Sequence, residues 1–102
     1  MPTQMRMYVL ARRDLSETYR LVQAMHALAQ YAIEYPKEFH LWNNTTITVL
    51  GVRNLIELKI WHMELLKKEK IFSSFYEPDL DGQVTAIACY DDGRIFKDLR
   101  LA

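Results

Sequence analysis

Twice along this chain a short apolar run gives way at once to the chemistry that starts a helix. Residues 5–11 (Met-Arg-Met-Tyr-Val-Leu-Ala) lead into Asp14-Leu15-Ser16-Glu17, and residues 45–52 lead into Asn54-Leu55-Ile56-Glu57. In each tetrad a short polar side chain can accept from the free backbone N–H groups of a helix start, with a glutamate three residues on to complete a capping box; Ser16 is a second candidate cap for the first helix. The runs themselves, β-branched in residues 45–52, read as strands. A strand–helix–strand sequence makes parallel neighbours with right-handed crossovers. The chain is thereby directed to an α/β fold.

Residues 71–76 and 84–90 read as a third and a fourth strand. The seven residues between them, Glu77 to Gln83, suit a hairpin-like connection, so the fourth strand should run antiparallel. The expected architecture is one domain over residues 1–102, ordered βαβαββ, with a mixed four-stranded sheet and helices packed on it. If the first strand is central, the two helices cover opposite faces. Residues 36–44 are expected to be a connection with a helical turn at 37–42. Residues 91–101 are expected to form a turn and a short terminal segment.

The first helix should stop near Tyr35, because Pro36 discourages continuation. It is apolar almost all round, through Leu21, Val22, Ala24, Met25, Leu28, Ala29, Ala32 and Ile33. A thin polar seam of Tyr19, Gln23, His26, Gln30 and Glu34, with Ala27, recurs at three- and four-residue spacing. A helix lying on one sheet needs only one apolar face, so this one calls for further cover, from another element or from a second copy in a homodimer.

Composition narrows the function classes. Thirteen basic and thirteen acidic residues cancel, which argues against broad non-specific nucleic-acid binding. The single cysteine, Cys89, rules out an intrachain disulfide and reads as a small buried strand residue. No apolar stretch nears the roughly 20 residues of a membrane span, and the first six residues lack the long apolar segment of a secretory signal. A cytoplasmic protein with no membrane contact is expected. Asp79-Leu80-Asp81-Gly82 resembles a calcium loop only in its start, lacking the later ligands and closing glutamate, and His26, His40 and His62 are scattered, so no metal site is expected.

Parallel strands deliver their carboxyl ends to one rim, the place where open α/β sheets bind ligands. Arg12-Arg13-Asp14-Leu15-Ser16 and Glu77-Pro78-Asp79-Leu80-Asp81-Gly82, more than sixty residues apart, should both emerge there, with Arg20 at the start of the first helix and Arg53 after the second strand. Mixed arginines and carboxylates beside a helix N-terminus could hold a phosphate and position a water. The same residues could equally serve as surface ion pairs and caps, which add little to stability.

Three stretches resemble the class II peptidyl-tRNA hydrolases, the kind typical of archaea and eukaryotes. They are Arg12-Arg13-Asp14-Leu15 at a strand end, Gln23-Ala24-Met25-His26-Ala27 on the first helix, and Asp79-Leu80-Asp81-Gly82 leading into the strand that starts Val84-Thr85-Ala86. That resemblance implies a small α/β protein with a mixed four-stranded sheet, often dimeric, needing no cofactor, that cleaves the ester joining a peptide to tRNA. It implies Asp79 as the carboxylate that positions or activates water, with Thr85 matching the family's threonine, and it places Asp14, Gln23 and His26 in the first-helix region of the site. The family's first loop is rich in glycine and lysine and supplies an active-site lysine. Here Ser16-Glu17-Thr18-Tyr19-Arg20 has neither, and Arg20 is the nearest positive charge, though a guanidinium does not replace an ammonium in kind.

Two readings follow. In the first, the chain hydrolyses a peptidyl or aminoacyl ester of tRNA. Asp79, Thr85 and Arg20 carry the chemistry, and Arg12, Arg13, Asp14, Gln23, His26 and Arg53 hold the tRNA-linked substrate. In the second, the same fold is a non-catalytic binding module for RNA, a nucleotide or another protein.

Overall fold

In a computed structural model, which describes residues 4–102, each long helix begins at a side-chain cap. Ser16 Oγ accepts the Tyr19 N–H at 3.3 Å and opens α1 (Glu17–Glu34). Asp14, the other candidate cap, is drawn to Arg12 instead. Pro36, fitted by its fixed φ to a first helical turn, starts α2 (Pro36–Trp42). Asn54 Oδ1 accepts the Glu57 N–H at 3.0 Å and opens α3 (Leu55–Lys67). The secretory-signal reading rests partly on Met1–Thr3, which lie outside the described residues.

The strands are β1 (Arg6–Arg12), β2 (Ile47–Val52), β3 (Phe72–Glu77), β4 (Gln83–Asp91) and β5 (Arg100–Leu101), in the spatial order β3-β4-β1-β2-β5. β1 is central. It pairs in parallel with β2, Val9 opposite Val49, and antiparallel with β4, Val9 opposite Ala88. β3 pairs antiparallel with β4, with a register shift at Phe75/Tyr76. β1, β2 and β3 therefore point the same way, as the crossover argument requires, and β4 runs against them.

One expectation needs correction, and the helical turn expected at 37–42 is present and longer. The sheet has five strands, not four: β5 pairs antiparallel with β2. The Ala102 N–H donates to Val49 O at 3.0 Å, and the Arg13 guanidinium donates to Leu101 O at 3.1 Å. The strand forms by completing an edge rather than from any alternation of its own. The connection over 36–44 is a helix of two turns, α2, closed by Asn43 in the left-handed region. Its Trp42 is buried, and the indole N–H donates to Thr46 O at 2.8 Å.

Alternation along β1 and β4 makes two cores, one on each side of the sheet. Met7, Val9, Ala86 and Ala88 meet α1 and α2 through Ala24, Ala27, Tyr31 and Trp42. Leu10, Leu50, Val52, Ile87 and Cys89 meet α3 through Leu58 and Leu65. Complete burial of Leu58 and Leu65 stabilises by about 2 kcal/mol each. Cys89 lies deep in this second core, where burial pushes its thiol up to about 12, so it packs and does not react. His62 sits at the edge of the same core, with its Nδ1 2.7 Å from Ser74 Oγ.

α1 turns the other way from a simple reading of its seam. Gln23 and Ala27 face inward with Ala24 and Tyr31, whereas Leu21, Met25 and Ile33 face outward. Alanine on both sides, Ala24 and Ala27 against Ala86 and Ala88, lets the helix lie close on the sheet, which brings Gln23 into bonding reach of Thr85. Among the described residues no helix is long and apolar enough to cross a membrane, and no group of three His, Cys, Asp or Glu side chains is placed to hold a metal.

Candidate functional site

The strand directions bring the two distant polar segments to one rim. Arg12, the last residue of β1, reaches across it with its guanidinium, and the residue is only 5 % exposed. Its Nε and Nη2 donate to the Asp14 carboxylate at 3.0 and 2.7 Å. Its Nη1 donates to Gln83 Oε1 at 2.9 Å and to Val84 O at 3.2 Å. The Arg12 guanidinium, first by hydrogen bonding, holds the Asp14 carboxyl below its ordinary value. Arg12 is thus a strut between the end of β1 and the β3–β4 hairpin.

The other arginines are engaged as well. Arg20 donates to the carbonyls of Arg13 and Leu15, both at 3.1 Å, and so closes the turn into α1. Arg13 lies over Gly51, where a Cβ would fall 2.5 Å from its Nε; glycine here makes room for that side chain. Arg53 forms a local pair with Glu57 at 2.6 Å on an exposed stretch. The three guanidinium groups expected to hold substrate, Arg12, Arg13 and Arg53, and the one expected to carry chemistry, Arg20, all bond the chain's own backbone or a neighbouring side chain.

On the α1 side of the rim a polar chain runs through the protein. Thr85 Oγ1 donates to Gln23 Oε1 at 2.5 Å, and Gln23 Nε2 donates to Glu77 Oε1 at 2.9 Å. The Tyr19 hydroxyl also donates to Glu77 Oε1, at 3.3 Å, and the Asp79 N–H donates to Glu77 Oε2 at 3.3 Å. Gln23 and Thr85 are wholly buried, and Glu77 nearly so. The Gln23 amide, then the Asp79 N–H, hold Glu77 below the usual carboxylate range. Desolvation and the Glu77 charge raise Tyr19, so it stays a phenol and a donor.

The hub is therefore Glu77, where sequence reasoning favoured Asp79. Asp79 lies on a 3-10 turn, Pro78–Leu80, and is exposed. Its carboxylate makes no hydrogen bond or ion pair among the described residues. His26, expected near substrate, is an exposed ring stacked on Phe75 with centroids 4.4 Å apart and planes within 6°. Two signals point to Glu77 and Tyr19 after the fact. Glu77 directly follows a strand, and Tyr19 stands four residues before the one amide on the buried face of α1.

This arrangement has consequences for chemistry. Ester hydrolysis requires an activated water and donors aimed at the developing oxyanion. Thr85 and Gln23 reach no solvent, and the donors of Arg12 are taken up inside the protein. Asp79 keeps a carboxylate facing water. The rim is composite, as the strand order demands, with Arg12, Gln23, Glu77 and Thr85 turned inward and Arg13, Asp14, Arg53 and Asp79 left at the surface.

The fold has a counterpart among solved structures. A protein of unknown function, Atu0240, from Agrobacterium tumefaciens strain C58 superposes with a TM-score of 0.73 over 100 % of this chain and 99 % of its own, at 15 % identity. The likeness is one of fold. No protein-family model matches the chain, and no curated protein matches it. The whole of this α/β domain, five-stranded mixed sheet and three helices, is thus an architecture shared with another protein of the same length.

Proposed function

We propose that the chain is a non-catalytic binding module on a peptidyl-tRNA hydrolase-like framework, and that it engages protein rather than tRNA. One observation carries this reading: three of the side chains that match the hydrolase pattern, Arg12, Gln23 and Thr85, are consumed inside the molecule, and the exposed Asp79 is left without them. Arg12, Gln23 and Thr85 are buried and satisfied by Asp14, Gln83, Glu77 and one another. The zero formal net charge leaves no excess of basic groups to attract a polyanion.

The apolar surface points to a protein partner. Leu21 and Met25 on α1 and Ile47 on β2 are exposed, and with Val9 and Val49 they wall a hollow of about 230 Å³. Contiguous exposed apolar surface of this kind marks interaction sites. A second copy of the chain is the partner this reading adopts. Sedimentation equilibrium should then show a dimer, and Met25→Asp, a change on an exposed position, should shift it to monomer by at least about tenfold in dissociation constant. A wild-type chain that sediments only as monomer contradicts the dimer.

Labelled peptidyl-tRNA tests the absence of catalysis. Wild-type protein and Asp79→Ala should both leave the ester at the background rate. The hydrolase reading retains one specific support, the solvent-facing carboxylate of Asp79 on the turn that follows Glu77. Turnover by the wild type that disappears in Asp79→Ala establishes that reading and overturns the one proposed.

A further inference from the structure

The β3–β4 hairpin has a second side. Opposite the Gln23–Glu77 chain, it and α3 enclose a cleft of about 400 Å³, within the range of small-ligand sites. A larger hollow of about 730 Å³ nearby is lined by α3 alone. That hollow is one open helix flank, whereas the cleft lies between two elements and gathers polar groups from both.

Those groups are held ready by contacts outside the cleft. Gln83 gives its Oε1 to Arg12 at 2.9 Å, which leaves the amide nitrogen, a donor, unengaged. His62 has its Nδ1 2.7 Å from Ser74 Oγ, which leaves Nε2. The imidazole is held edge-on to Phe72 and Tyr76, with centroids 5.1 and 6.5 Å away. Lys59 and Asp81 also line the cleft and make no hydrogen bond or ion pair among the described residues. Met63, Val84 and the Tyr76 ring supply apolar wall.

We propose that this cleft binds a monocarboxylate with an apolar body, the chemistry shared by a free aryl or alkyl acid and by the C-terminal residue of a peptide. The Lys59 ammonium and the Gln83 amide N–H donate to the carboxylate. His62 adds its Nε2–H in the tautomer in which Ser74 donates to Nδ1. Charge-assisted bonds of this type are about twice as strong as neutral ones. The apolar body lies against Met63, Val84 and Tyr76. Asp81, at the hairpin tip, accepts from a donor set back from the carboxylate, such as a peptide N–H. This site is distinct from the partner face on α1 and stands without it.

The test is nuclear magnetic resonance titration of the whole chain with three probes: N-acetyl-phenylalanine, 3-phenylpropionate and the neutral N-acetyl-phenylalaninamide. The Gln83 side-chain amide and the His62 ring should shift with both acids, with dissociation constants of roughly millimolar order for ligands of this size. They should not shift with the amide probe. Tighter binding of N-acetyl-phenylalanine than of 3-phenylpropionate assigns the site to peptide termini, and equal binding assigns it to free acids. Lys59→Met, an exposed change whose fold is checked by its amide spectrum, should weaken the acids by about tenfold. Equal shifts with the neutral probe, no shifts at all, or unchanged affinity in a folded Lys59→Met protein each overturn the proposal.

Discussion

Replacing Gln23 with alanine is expected to cost the fold about 3 kcal/mol, measured as a loss of unfolding free energy in urea. The side chain is wholly buried and uses both ends of its amide, accepting from Thr85 and donating to Glu77. Alanine leaves a hydroxyl and a carboxylate without their partner, and it opens a hole between α1 and the sheet. Gln23→Glu separates the polar effect from the steric one, since size is kept and a second carboxylate is set against Glu77. In the wild type, Glu77 lies below its ordinary value, chiefly through the Gln23 amide. It therefore contributes stability that is present above the unfolded value near pH 4.3 and is lost as pH falls through the lower folded one. In Gln23→Glu the two carboxylates repel and one of them titrates upward, so stability should rise as pH falls through that raised folded value toward the unfolded one near pH 4.3. A Gln23→Glu protein with the acid profile of the wild type would show that the chain from Thr85 to Glu77 does not act as a unit.

Arg12→Met is expected to cost about 2 kcal/mol in the same measurement. Methionine keeps much of the aliphatic volume but strands the Val84 carbonyl and the Gln83 amide oxygen, both bonded to Arg12 in the native protein. Asp14 is partly exposed and can hydrate once its partner is gone, which keeps the loss below that of a fully buried pair. The acid profile provides the second readout. Asp14 is held below its ordinary value first by its hydrogen bond to Arg12. Its contribution is thus complete above the unfolded value near pH 3.9 and fades as pH falls through the folded one. The Arg12→Met variant should lose that part of the acid dependence and keep the part due to Glu77. A variant as stable as the wild type would mean that the two polar segments are held at one rim by something other than this strut.

The sheet's core and the long helices were legible because local and global signals agree there. Ser16 and Asn54 cap as their types suggest, and the apolar runs become β1, β2, β3 and β4. β5 was not legible, since Arg100 and Leu101 have no strand pattern and are extended only by the vacant edge of β2. The inward turn of Gln23 was hidden for a related reason. Apolar periodicity assigns polar residues to water, whereas here small alanines on helix and sheet shorten the gap and favour a buried amide with two partners. At the rim, sequence placed the right segments together but left open whether their side chains bond one another or a ligand. Arg12, Arg13, Arg20 and Arg53 look like a charge cluster in one dimension, and in three dimensions each holds a nearby carbonyl, amide or carboxylate. Glu77 was passed over for Asp79 because spacing alone cannot tell a carboxylate turned inward from one left in water.

The central position of β1 has a consequence for synthesis. One of its edges is satisfied by β2, which ends at Val52, but the other waits for β4, which ends at Asp91. At roughly 5–20 residues per second, the ribosome leaves that edge bare on the nascent chain for some seconds. A βαβ intermediate with an open, Val- and Leu-bearing strand is a template for intermolecular pairing, so the first half of this protein is the segment whose yield should depend most on chaperones that shield it until the second half is made.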